Sequence, residues 1–213
     1  MRTELAPLLR GKRSQRIDGV ELFELDSAVV ALGGIGEKCA RRAAESAIGY
    51  AQPKLLLSAG IAGAISPTLK VGDVGRIREV VDVATGERYS AQGGEWVLAT
   101  SPDVTDASEK RELLTKYGAD VVDMEAAAVA QVAKEHGLEF AAVKSISDDA
   151  SFTMPPLIRF INQKGKFATG RFLLYVALRP KWWPVLGKMR TNIAIASANL
   201  SRAVEHLIAS SSQ

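Results

Sequence analysis

Short apolar runs alternate with segments of helical period through the first 150 residues, and the pattern then changes. Residues 20–25 and 28–32 read as strands, GGIG at 33–36 as a turn, and the Ala- and Arg-rich segment 37–50 as a helix. KLLLS, 54–58, is a continuous apolar run of the kind buried on both faces of a sheet. AGIAGAI follows it, with glycines at 60 and 63, where a simple turn and a backbone that a ligand approaches are weighed evenly. SPTLKVGDVGRI leads into strand signal at 74–83, with another strand at 96–100 and a helix at 105–117. A short strand at 120–122 precedes a helix at 125–136 that Gly137 closes. The strand at 140–146 runs into SISDDA. Beyond Ala150 only helical signal remains, from 156 to 209, broken at Pro180 and Pro184.

Strands alternating with helices predict an α/β sheet with right-handed crossovers. The absence of a repeat, a low-complexity tract or a linker predicts one domain over 1–213 with an all-helical C-terminal part at 156–210.

Composition narrows the chemistry. The single cysteine and two histidines cannot make an intrachain disulfide and leave a zinc site short of ligands, so metal-free chemistry without a cofactor is the expectation. A net charge of +3 from 27 basic and 24 acidic residues is too balanced to argue for a nucleic-acid partner. MRTELAPLLRGKR lacks the apolar core of a signal peptide, and no run of about 18 apolar residues exists. A cytoplasmic protein is expected.

Several motifs carry candidate chemistry. GGIG could cradle an anion at a helix N-terminus. As a dinucleotide fingerprint it fails, because Cys39 stands where a third glycine belongs and the following strand ends in Ser58 rather than an acid. AGIAG follows a buried strand, where open α/β sheets bind ligands and glycine lets a ligand approach the backbone. In VVDMEAAAVA, Asp123 suits a helix start, where negative charge is favoured. Glu125 adjoins Ala126, Ala127, Ala128 and Val129, so it reads as a buried carboxylate in need of partners, a role sugar hydroxyls would fill. Asp148 and Asp149 end an apolar strand, where a carboxylate could pass a proton to a leaving group.

GGIG before a helix, AGIAGAISPTLKVGD, VVDMEAAAVA and KSISDDA, in that order, resemble the nucleoside phosphorylase/nucleosidase superfamily, and most of all the 5'-methylthioadenosine/S-adenosylhomocysteine nucleosidases, over residues 4–150. LIRFINQKGKFATGRFLLYVALRPKWWP looks more like a bacterial phosphorylase-like branch associated with hopanoid lipid synthesis.

The resemblance implies a central mixed twisted sheet flanked by helices. It also implies a first strand ahead of the catalytic glutamate; Met1 stands almost where that strand would end, so either the start of the chain is truncated or the sheet lacks that strand. The implied reaction cleaves the N-glycosidic bond of a purine nucleoside. Asp148, oriented by Ser147, protonates the purine, and Glu4 activates water. Met124 packs on the ribose, Glu125 binds its hydroxyls, and Ile61, Ala62, Gly63 and Val104 line the substrate. SPDVT at 101–105 lacks the family's base-stacking aromatic. Ser58 replaces a phosphate-binding arginine, which favours water as nucleophile. The implied substrate is a 5'-modified adenosine; the alternatives are an adenosyl lipid and a nucleoside-binding relative without activity. A homodimer or larger assembly is expected. The apolar and basic composition of 167–183, with Trp182 and Trp183, predicts a mouth for a bulky 5' group and contact with a membrane surface.

Overall fold

The computed structural model describes residues 4–152 and 183–210. The first elements are α1 (Ala6–Leu9) and an antiparallel meander of β1 (Ser14–Ile17), β2 (Val20–Glu24) and β3 (Val29–Leu32). There follow α2 (Glu37–Ala51), β4 (Leu55–Ala64), β5 (Val74–Asp82), β6 (Arg88–Ser90) and β7 (Trp96–Thr100). Then come α3 (Ala107–Tyr117), β8 (Val121–Asp123), α4 (Ala126–Glu135), β9 (Glu139–Asp148) and α5 (Trp183–Ser210). The fold is mixed α/β, with a mixed sheet flanked by helices.

The larger sheet runs β6-β5-β7-β8-β4-β9 and closes on itself. β5 makes the closure. Its start, Val74–Arg76, pairs antiparallel with β9, and Ile77–Asp82 pairs parallel with β7. Five strands therefore form a ring with no open edge between β5 and β9.

AGIAGAI is strand, not turn. β4 runs through both glycines to Ala64, pairing with β9 from Leu55↔Glu139 to Ala62↔Ile146. Glycine is a weak strand former alone, but here the parallel ladder to the Val- and Ala-rich β9 overrides it. β9 likewise extends to Asp148, two residues past the predicted end. The register shifts at its close: Gly63 faces Asp148, and Ser147 is the extra residue. β1 and β6 had no hydrophobic signal. Both are largely exposed short strands held by a neighbour in a hairpin.

Two layers cover the ring. On one side α4, with Ala126, Ala127, Ala130 and Ala133 buried, packs on Leu56, Ala62, Ala142 and Ile146, and α2 packs on α4. On the other, Leu200 and Val204 of α5 meet Val143 together with Leu5, Leu8 and Leu9 from α1 and its cap. Small residues on α4 let it approach the sheet closely. Pro184, expected as a break, is the second residue of α5, where a proline without an N–H is tolerated. The expectations for 167–182 lie outside the described residues. No helix among the described residues is long and apolar enough to cross a membrane.

Candidate functional site

The C-terminal ends of β4, β8 and β9 gather the ionisable residues. Asp148 closes β9 and is buried at 3% exposure. Ser147 Oγ lies 2.7 Å from Asp148 Oδ1 and 3.2 Å from the Ala62 carbonyl, so its hydrogen goes to the nearer carboxylate. Lys110 Nζ lies 2.6 Å from Asp148 Oδ2 and also donates to the Asp149 carbonyl at 3.1 Å. Gly63 leaves room for this arrangement: a Cβ there would fall 2.9 Å from Asp148 Oδ2.

Lys110 was not anticipated. It sits on α3, whose start is fixed by a capping box. Asp106 Oδ1 accepts from the Ser108 and Glu109 N–H groups, and Glu109 Oε2 accepts from the Asp106 N–H. The sequence signal was its spacing: Lys110 lies three residues before buried Leu113, so both occupy the inward stripe of the helix.

A second buried ion pair lies beside the first. Lys144 Nζ is 2.8 Å from Asp123 Oδ2 and donates to Ser58 Oγ at 3.1 Å. Asp123 Oδ1 accepts from Thr100 Oγ1 at 2.7 Å, and Thr100 Oγ1 in turn accepts from the Ala127 N–H at 3.0 Å. Asp123 also caps α4 by accepting from the Ala126 N–H at 3.0 Å. It is therefore more than a favourable charge at a helix start: it neutralises a lysine that is only 2% exposed. Ser58 serves this network as well.

Glu125 occupies the N-cap position of α4. One oxygen accepts from the Gly36 N–H at 2.8 Å, the other from the Met124 N–H at 3.3 Å. Gly36, at φ +88°, caps α2, so the GGIG turn does bind an anion: the chain's own carboxylate. Burial first, and then the neighbouring Asp123 charge, push the pKa of Glu125 up to about 7, with the Gly36 N–H and Lys144 partly opposing.

Glu4 reaches the same cluster from the opposite end of the chain. A Cβ on Gly60 would lie 3.5 Å from both Glu4 Oε2 and Lys144 Nζ, and the charge of Glu4 is felt at Glu125. Its backbone is held by the next residue, Leu5, which is buried under α5 with Leu8 and Leu9. Met124 lines a small cleft next to the cluster with Thr100, Ser101, Pro102 and Gln131. Ala62 and Gly63 border Asp148, and half-buried Ile61 lies opposite Ser145 on β9. Val104 lies in the loop between β7 and α3 and is half-buried.

The arrangement sets a buried acid with a cation behind it a short way from three further carboxylates and a second lysine. Two segments of the chain, 20–107 and 76–172, match the family model described as the phosphorylase superfamily. The chain belongs to the phosphorylase superfamily. Solved structures agree in fold with this superfamily member. It is similar to a 5'-methylthioadenosine/S-adenosylhomocysteine nucleosidase of Helicobacter pylori at 18% identity and TM-score 0.69, covering 97% of this chain and 95% of that one. A Colwellia psychrerythraea nucleosidase of the same description, solved with adenine, matches at 19% identity and TM-score 0.71, covering 98% and 91%. The futalosine hydrolase of Helicobacter pylori matches at 21% identity and TM-score 0.62, over 70% of this chain and 84% of that one. The family-level resemblance read from the four motifs is thus met.

Proposed function

We propose that this superfamily member cleaves the N-glycosidic bond of a purine nucleoside, with water as nucleophile and a 5'-modified adenosine as substrate. The observation that carries this reading is Asp148, buried at the end of β9 and held from two sides by Ser147 and Lys110. Breaking the bond leaves negative charge on the base and oxocarbenium character on the sugar. Asp148 is the group that faces the base and hands it a proton. General acid help of this kind is worth about 10²–10⁴-fold. Glu125 accepts hydrogen bonds from the ribose hydroxyls, Met124 packs on the ribose, and Glu4 draws the proton from water.

Two features support water over phosphate. Position 58 carries a buried serine, and the buried lysine it contacts, Lys144, is already paired with Asp123. A paired lysine offers phosphate little net positive charge. The relatives described as nucleosidases support the 5'-modified adenosine.

The test is to incubate the protein with methylthioadenosine, S-adenosylhomocysteine and adenosine, with and without phosphate. Release of adenine and free sugar at a rate indifferent to phosphate is expected. No base release from any of the three overturns the reading, and a sugar 1-phosphate among the products overturns the choice of water.

A further inference from the structure

The Lys110–Asp148 pair raises a question of proton supply. A general acid must begin with a proton, and Asp148 sits 2.6 Å from an ammonium and receives a second hydrogen bond from Ser147. Both contacts place a hydrogen-bond donor on an Asp148 oxygen, so a proton that leaves Asp148 for the base has a donor beside it to replace it. The nearer of those two donors is Lys110 Nζ. That lysine is 2% exposed, and an ammonium so buried requires an acceptor for each hydrogen. Among the described residues the acceptors are Asp148 Oδ2 and the Asp149 carbonyl. The missing side chain of Gly63 leaves space next to both groups, since a Cβ there would lie 3.3 Å from Lys110 Nζ.

We propose that Lys110 is the proton source for the departing base, acting through Asp148; this rests on the glycosidic-cleavage reading given above. As the bond between C1' and N9 breaks, its electron pair stays on the purine. A Lys110 N–H bond breaks with its pair kept on nitrogen, the proton passes to Asp148 Oδ2, and the carboxyl group protonates the base. Asp148 returns to carboxylate and Lys110 is left as an amine. The attacking water bonds to C1' and releases one proton, and Lys110 takes one up from solvent, so charge and protons balance over the turnover.

Lys110→Arg tests this directly. Arginine keeps the positive charge and the pairing with Asp148 but does not surrender its proton in proteins. With a purine nucleoside, kcat for Lys110→Arg is expected to fall by about 10²-fold with KM within about threefold. With 4-nitrophenyl riboside, whose leaving group departs without protonation, the loss is expected to stay under about fivefold. A purely structural role predicts full activity for Lys110→Arg, or equal losses on both substrates, and either result overturns the proposal. A second measurement does not depend on how Arg fits. Lys110→Met combined with Asp148→Asn leaves no buried charge unpaired, and its purine activity should equal that of Asp148→Asn alone, because both residues serve one proton transfer. Losses that multiply would overturn the proposal. If the wild type cleaves neither substrate, the glycosidic reading itself fails, an outcome distinct from a wild type that cleaves both and a Lys110→Arg variant that is unimpaired.

Discussion

Replacing Glu125 by Gln should make the protein more stable in mild alkali while weakening its function. The wild-type carboxyl group has its pKa pushed from 4.5 up to about 7 by burial and by Asp123. The folded state therefore holds a proton that the unfolded chain has already released between pH 4.5 and about 7, so stability falls as pH rises through that window. Above about pH 8 the full penalty applies, on the order of 3 kcal/mol for a displacement of this size. Glutamine keeps an oxygen for the Gly36 N–H and carries no charge. It loses the weaker bond from the Met124 N–H, which costs about 1 kcal/mol. The variant should thus match or fall slightly below wild type at pH 5 and exceed it by about 2 kcal/mol at pH 8.5, or roughly 4–8 °C in Tm for a chain of this length. Urea unfolding of both proteins at the two pH values isolates the effect, because titrating groups remote from Glu125 cancel in the comparison. A stability difference that is the same at pH 5 and pH 8.5 would refute the burial argument.

Asp148→Asn should reduce glycosidic cleavage by at least about 10²-fold, measured as adenine release. It also leaves Lys110 buried without a counter-charge, so a loss of about 3–5 kcal/mol in stability is expected in denaturant titration. Gly63→Ala puts a methyl group 2.9 Å from Asp148 Oδ2 and 3.3 Å from Lys110 Nζ, so the paired side chains must shift, and kcat should fall while the variant stays folded by circular dichroism. Lys144→Met strands Asp123 in the same way, at about 3–5 kcal/mol, and Lys144→Met with Asp123→Asn should recover most of that in the same titration.

The motifs were legible because they are local. DMEA and SISD name the carboxylates, and hydrophobic period located α2, α4 and most strands. What could not be read was which charges would meet. Lys110 and Lys144 lie 34 residues apart in sequence; one shares the inward stripe of α3 and the other interrupts an apolar strand, but neither setting names a partner. Lys110 acquires Asp148 only when α3 and the end of β9 come to the same end of the ring, and Lys144 acquires Asp123 only when β9 and β8 do. Glycine in AGIAGAI left a turn and a ligand-facing segment equally open when local propensity was read alone, whereas ladder pairing to β9 decides that segment. The shift of register that sets Asp148 opposite Gly63 has no signature in either strand by itself.

The closure of the ring by β5 bears on how the chain is made. Val74 pairs with Ser145, and Leu55 of β4 pairs with Glu139. A ribosome adding about 5–20 residues each second must therefore work for several seconds after β4 and the start of β5 emerge before their common partner exists. During that interval the meander of β1 to β3 can already be complete, since its partners are adjacent. β4, the floor of the site and an apolar strand, waits with an unpaired edge. The acid-bearing strand arrives late, so a nascent chain has no assembled site until most of its length is out. That delay marks β4 as the segment on which a holdase chaperone would act during synthesis.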